Sequence, residues 1–177
     1  MPTASGFANS EMGHLWLVGM MGVGKTTVGR RVAERLDLPF VDVDAVVAAI
    51  RGTTVATIFA DEGEQAFRVQ ERIAISSAAS GPRAVIAAGG GAVLDQDNVA
   101  AMKSSGEVVL LEAPADVLVA RLETNDGGRP LLDTGNVPER IAQLLAARRD
   151  AYRAAADRIV DTADRHPSDV AEEVAGS

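Results

Sequence analysis

Gly19-Met20-Met21-Gly22-Val23-Gly24-Lys25-Thr26 lies between a short apolar run, Leu15 to Val18, and a stretch of helical period, Lys25 to Leu36. The spacing G-x-x-x-x-G-K-T, placed after a strand and before a helix, specifies a phosphate cradle. Its glycines let backbone N–H groups turn inward around an anion, and the following helix presents its positive end. Lys25 adds a mobile ammonium, and the Thr26 hydroxyl can hold Mg2+. The chemistry implied is binding of ATP or GTP, with Gly22, Val23, Gly24, Lys25, Thr26 and Thr27 as the expected nucleotide contacts.

On either side of the cradle, short apolar runs bounded by glycines alternate with helical stretches, the pattern of βαβ units around a parallel sheet. Five strands are predicted: Leu15 to Val18, Phe40 to Val43, Ala84 to Ala88, Val108 to Leu111 and Arg158 to Asp161. Lys25 to Leu36 gathers Val28, Val32, Ala33 and Leu36 on one face, and Pro138 to Ala155 does the same with Ile141, Leu144, Leu145 and Tyr152. Both read as helices packed on the sheet. The expected fold is α/β: a P-loop NTPase-type three-layer α/β/α architecture with a five-stranded parallel sheet, of nucleoside monophosphate kinase-like size, with a mobile lid. That lid is placed at 124–136, TNDGGRPLLDTGN, where turn formers surround one arginine.

A length of 177 residues makes one domain. Residues 14–177 are expected to form this single P-loop domain, with 45–80 as its substrate-binding segment. Residues 1–13 are expected to be a flexible tail, because they lack the basic start and apolar run of a signal peptide. No apolar stretch reaches the 18 or so residues of a membrane span, so the expected location is the cytoplasm. The chain has no cysteine and two histidines, His14 and His166. That rules out disulfides, thiolate nucleophiles and His-rich or Cys-based metal sites. Its 17 Lys plus Arg against 25 Asp plus Glu give a net charge of −8, and only 3% of residues are aromatic. Nucleic-acid binding is therefore not expected, and positive charge must be concentrated locally to handle small anions.

On the acceptor side, Asp42-Val43-Asp44 closes the second strand, which would place two carboxylates of like orientation at the carboxyl edge where ligands bind. One can support Mg2+ and the other can accept a proton from a substrate hydroxyl; alternatively, Asp44 caps the next helix. Gly63-Glu64-Gln65-Ala66-Phe67-Arg68 opens a helix, and the third strand runs into Gly89-Gly90-Gly91. Three glycines invite close backbone approach, and Arg68 can clamp a carboxylate bidentately. Phe59 and Phe67 can wall a ring-shaped substrate or pack in the core. There is no N-K-x-D motif, and no D-x-x-G after the third strand, so a GTPase is not expected.

These motifs, together with R-P-L-L at Arg129 to Leu132, make the chain resemble a shikimate kinase over about residues 14 to 175. The resemblance implies ATP-dependent phosphorylation of the 3-hydroxyl of shikimate, on the path to chorismate and the aromatic amino acids, with Mg2+ as cofactor. By position it implies that Asp44 contacts the substrate hydroxyls and acts as base, beside Lys25 and Thr26, and that Asp42 supports the metal. It also implies that Arg68 and Arg148 grip the shikimate carboxylate with Gly89, Gly90 and Gly91 alongside. Arg129 would be the lid arginine that reaches phosphate and substrate, and the adenine would lie between Arg121 or Leu122 and the stretch 165–167. Arg148 is preferred to Arg149 because the family arginine stands four residues before the position of Tyr152. Ala87 and Ala88 stand where some relatives carry a hydroxyl. The expected partner is the small-molecule substrate alone, bound by a monomer. A kinase of another polyol acid or cyclitol, such as gluconate, and an inactive nucleotide-binding paralogue are the alternatives.

Overall fold

The computed structural model describes residues 13–124 and 136–176. Most of the expected tail and lid, including Arg129, lies outside the described residues. Five parallel strands form one sheet in the order β2-β3-β1-β4-β5: β1 (His14–Val18), β2 (Phe40–Asp42), β3 (Val85–Ala87), β4 (Gly106–Glu112) and β5 (Arg158–Asp161). Around it lie α1 (Lys25–Leu36), α2 (Val43–Arg51), α3 (Val55–Ala79), α4 (Gln96–Ser105), α5 (Ala115–Glu123), α6 (Val137–Ala155) and α7 (Pro167–Ala175). All five predicted strands and both predicted helices are present, displaced by no more than two residues at an end.

β1 is buried along its whole length, as a continuous apolar run in the middle of a parallel sheet must be. Its alternate side chains feed two cores. Leu15 and Leu17 join Val28 and Val32 of α1, Leu118 of α5 and Val170 and Val174 of α7 on one side. Trp16 and Val18 join Phe67 and Ile75 of α3, Met102 of α4 and Tyr152 of α6 on the other. This period-2 division repeats in β4, where Val109 and Leu111 face the first core and Val108 and Leu110 the second. Two apolar layers on one sheet give the expected three-layer α/β/α sandwich.

The second strand ends one residue early. The Asp42 side chain accepts from Ala45 N at 3.3 Å and so caps α2, turning the backbone helical at Val43. Two expectations are thereby corrected. Asp44 is not the cap, and it does not share a strand face with Asp42, because it lies in the first turn of a helix. Phe59 and Phe67 take the packing role, with ring centroids 5.0 Å apart and Phe67 buried in the second core. Among the described residues no single helix is long and apolar enough to cross a membrane.

Candidate active site

β1, β2 and β3 are neighbours in the sheet and run in the same direction, so the segments leaving their carboxyl ends converge. The glycine-rich loop follows β1, Asp42 and Asp44 follow β2, and Gly89–Gly91 follow β3. Gly24 takes φ +104 at the cap of α1, a left-handed conformation open to glycine without steric cost. Lys25 Nζ donates to Gly19 O at 2.7 Å and to Met20 O at 3.1 Å, which keeps the ammonium on the loop's own carbonyls. Thr26 Oγ1 donates to Asp42 Oδ2 at 2.8 Å. This hydroxyl–carboxylate pair is the kind of hard oxygen set that Mg2+ takes together with phosphate oxygens and waters. Among the described residues no cluster of three His, Cys, Asp or Glu offers an all-protein metal cage.

The acceptor side is built tightly around the glycine run. A Cβ on Gly89 would collide with Glu71 Oε1 and lie 2.8 Å from Asp44 Oδ1, and a Cβ on Gly91 would collide with the Arg68 guanidinium. Asp44 Oδ1 and Glu71 Oε1 are buried and have no hydrogen-bond partner. Burial raises the Asp44 carboxyl above the ordinary carboxylate range; the nearby Asp42 charge adds to this, while Lys25 and Arg68 oppose it. Glu71, fully buried, is raised by the same desolvation and by Asp44, against the pull of Arg68.

Arg68 reaches in from α3, donating to Glu71 Oε2 at 2.8 Å and to half-exposed Glu64 at 2.8 and 3.2 Å. Arg148 reaches in from α6 and donates through Nη1 to Gly90 O at 3.1 Å, with only 5% of the residue exposed. Its burial beside Gly90 distinguishes it from exposed Arg149. Two guanidinium groups, two carboxylates and a bare glycine backbone thus surround one spot next to the phosphate cradle.

The structure brings together every expected site residue among those it describes, with two qualifications. Thr27 is exposed on α1, and Val23 is buried, presenting its carbonyl to Arg121 Nη1 at 3.3 Å. At the expected adenine side, Arg121 also donates to Thr162 O at 2.6 Å, which ties the end of β5 to the back of the cradle. Leu122 belongs to the core, against Gly22. Arg165 pairs with Glu173 at 2.7 Å.

Glu71 and Tyr152 were missed as site residues. For Glu71 the available signal was its place three residues after Arg68, on the same helical face. Tyr152 offered none beyond its spacing from Arg148.

A family model described as shikimate kinase matches residues 21–176. The chain is 43% identical over 152 residues to the shikimate kinase of Neisseria meningitidis serogroup C, covering 86% of this chain and 89% of the relative. It is 46% identical over 159 residues to that of Symbiobacterium thermophilum, covering 89% and 91%. Among solved structures, the shikimate kinase from Acinetobacter baumannii in complex with shikimate superposes with a TM-score of 0.89 at 35% identity, covering 93% of this chain and 91% of that one.

Proposed function

The chain belongs to the shikimate kinase family, and from that premise we propose that it transfers the γ-phosphoryl group of ATP to the 3-hydroxyl of shikimate, giving shikimate 3-phosphate and ADP. The observation that carries this assignment is the convergence at Gly89–Gly91 of buried, unpartnered Asp44 Oδ1 with Arg68 and Arg148, beside a complete phosphate cradle.

The protein's work is positioning and charge stabilisation. Gly22, Val23, Gly24 and Thr27 frame the nucleotide phosphates at the start of α1, and Lys25 moves its ammonium from the loop carbonyls onto them. Thr26 and Asp42 are the groups that would hold Mg2+, which supplies charge neutralisation at the phosphates when bound. Arg148 and Arg68 take the acceptor carboxylate in forked hydrogen bonds; for Arg68 this means exchanging Glu64, an exposed partner that contributes little. Glu71 stays behind Arg68 and keeps its guanidinium aimed. Asp44 Oδ1 accepts the proton of the attacking hydroxyl as that oxygen bonds to phosphorus, and the bond from phosphorus to the ADP oxygen breaks. Arg129, which lies outside the described residues, is assigned by family pattern to the charge on the transferring group. The catalytic unit is taken as 14–177 in a single copy, with 45–80 supplying the acceptor side and 124–136 the lid.

Purified protein with MgATP should release ADP saturably with shikimate, and not with gluconate, quinate or nucleoside monophosphates. Arg68→Ala and Lys25→Ala should abolish this turnover. Turnover on another acceptor would keep the phosphoryl chemistry and reject the substrate; nucleotide binding without turnover on any acceptor would reject both.

A further inference from the structure

The carbonyl of Gly90 is held by two donors at once. Arg148 Nη1 is one, at 3.1 Å, and the Tyr152 hydroxyl is the other. The Arg148 charge also acts on the Tyr152 phenol, drawing its pKa down against the larger rise from burial. Arg148 and Tyr152 lie one turn apart on α6, so both side chains leave the same face. Tyr152 is 2% exposed, and its hydroxyl oxygen lies 3.9 Å from Met20 Sδ in the cradle loop. The Gly90 backbone rests on that loop too, since a Cβ there would lie 3.6 Å from Met21 N. The phenol thus stands where the cradle, the glycine run and α6 meet.

Holding one carbonyl with two donors has a purpose if one of them must leave. A guanidinium binds a carboxylate best when two of its N–H groups face it as a fork. Turning Arg148 to do so withdraws Nη1 from Gly90 O. Were Arg148 the only donor, that turn would leave a half-buried carbonyl without its partner, which is costly. The Tyr152 hydroxyl, kept neutral by burial and so always able to donate, removes the conflict.

We propose that Tyr152 is a positioning residue whose hydroxyl stays on the Gly90 carbonyl and so frees Arg148 to give its forked donors to the substrate carboxylate. This rests on the assignment of Arg148 to the carboxylate clamp made above. The device concerns only acceptors with a carboxylate, because an uncharged acceptor has no reason to draw Arg148 away.

The test is steady-state kinetics of Tyr152→Phe with shikimate and with its uncharged methyl ester. The KM for shikimate should rise about tenfold, the effect of leaving one half-buried acceptor without a donor, while kcat and the KM for ATP stay within about twofold of wild type. With the methyl ester, variant and wild type should behave alike. An unchanged KM for shikimate, equal losses on both acceptors, or an equal rise in the KM for ATP would overturn the proposal and leave the hydroxyl a merely structural role. Arg148→Ala separates this from the underlying assignment, because it should cut the preference for shikimate over the ester to what Arg68 alone sustains. If that preference is undiminished, the place of Arg148 in the clamp is wrong, and the Tyr152 proposal falls with it. If it is diminished in Arg148→Ala but unchanged in Tyr152→Phe, the Tyr152 proposal alone fails.

Tyr152 is the only tyrosine in the chain, which allows a second readout should Tyr152→Phe not fold. In wild-type protein labelled with 3-fluorotyrosine, saturating shikimate should shift the fluorine resonance as Arg148 leaves the Gly90 carbonyl that the phenol shares, and the methyl ester should not. Equal shifts with both acceptors, or none with either, would overturn the proposal.

Discussion

In the proposed reaction Asp44 is the base and stands under opposing influences, and the balance among them is testable. A base must be ionised to accept the hydroxyl proton, yet burial raises this carboxyl above the ordinary range. The rate on shikimate should therefore fall on acidification at a higher pH than an exposed aspartate would dictate. Asp44→Asn should lower kcat by about 10²–10⁴-fold, the range for loss of a positioned base. The same burial makes a stability prediction of definite sign. A carboxyl whose folded pKa is raised holds its proton more readily folded than unfolded, so its contribution favours folding at low pH and is lost as pH rises through the folded value. Asp44→Asn should then melt higher than wild type at neutral pH, with the difference shrinking as pH falls. Melting curves that show no gain at neutral pH would refute the burial argument.

α3 is two helices joined at Gly63, which takes φ +84 and ψ 170 inside the element. That backbone conformation belongs almost solely to glycine. A Cβ there would meet nothing within 4 Å, so the conformation alone requires glycine. Gly63→Ala should lower stability by about 1–3 kcal/mol in urea unfolding; a loss under a few tenths would mean that the bend relaxes. The bend matters because it sets the direction of the second half of α3, which carries Phe67 into the core and Arg68 and Glu71 into the site. Gly91 is constrained differently, by close approach. Gly91→Ala would push the Arg68 guanidinium aside and should raise the KM for shikimate at least about tenfold, as for other losses of a charged hydrogen bond, while the KM for ATP holds. A parallel rise in both constants would mean that the cradle had moved as well.

Across the whole molecule, the central place of β1 joins both cores to the site. Leu17 is fully buried between α1 and the sheet, two residues before the cradle begins. Leu17→Ala should cost about 2–5 kcal/mol, the range for a large core residue cut to alanine, and calorimetry or denaturant unfolding would measure it. Local patterning was enough to specify much of this protein. The G-x-x-x-x-G-K-T spacing named the cradle, and runs such as Leu15 to Val18, apolar on both faces, marked a parallel sheet. The ordered motifs at Asp44, Arg68 and Gly90 pointed to an acceptor side, and the family resemblance added Arg148. These were legible because strand and helix periods, turn glycines and motif spacings are short-range properties of a chain. The hidden features each depend on contacts between distant segments. That Asp42 rather than Asp44 caps α2 follows from where the sheet ends. That Glu71 Oε1 faces Asp44 Oδ1 across Gly89, and that Tyr152 shares the Gly90 carbonyl with Arg148, follows from the strand order β2-β3-β1-β4-β5 and the packing of α3 and α6 on one face of the sheet. Burial and hydrogen-bond satisfaction belong to the packed assembly, and no periodicity along the chain encodes which buried oxygen is left without a partner.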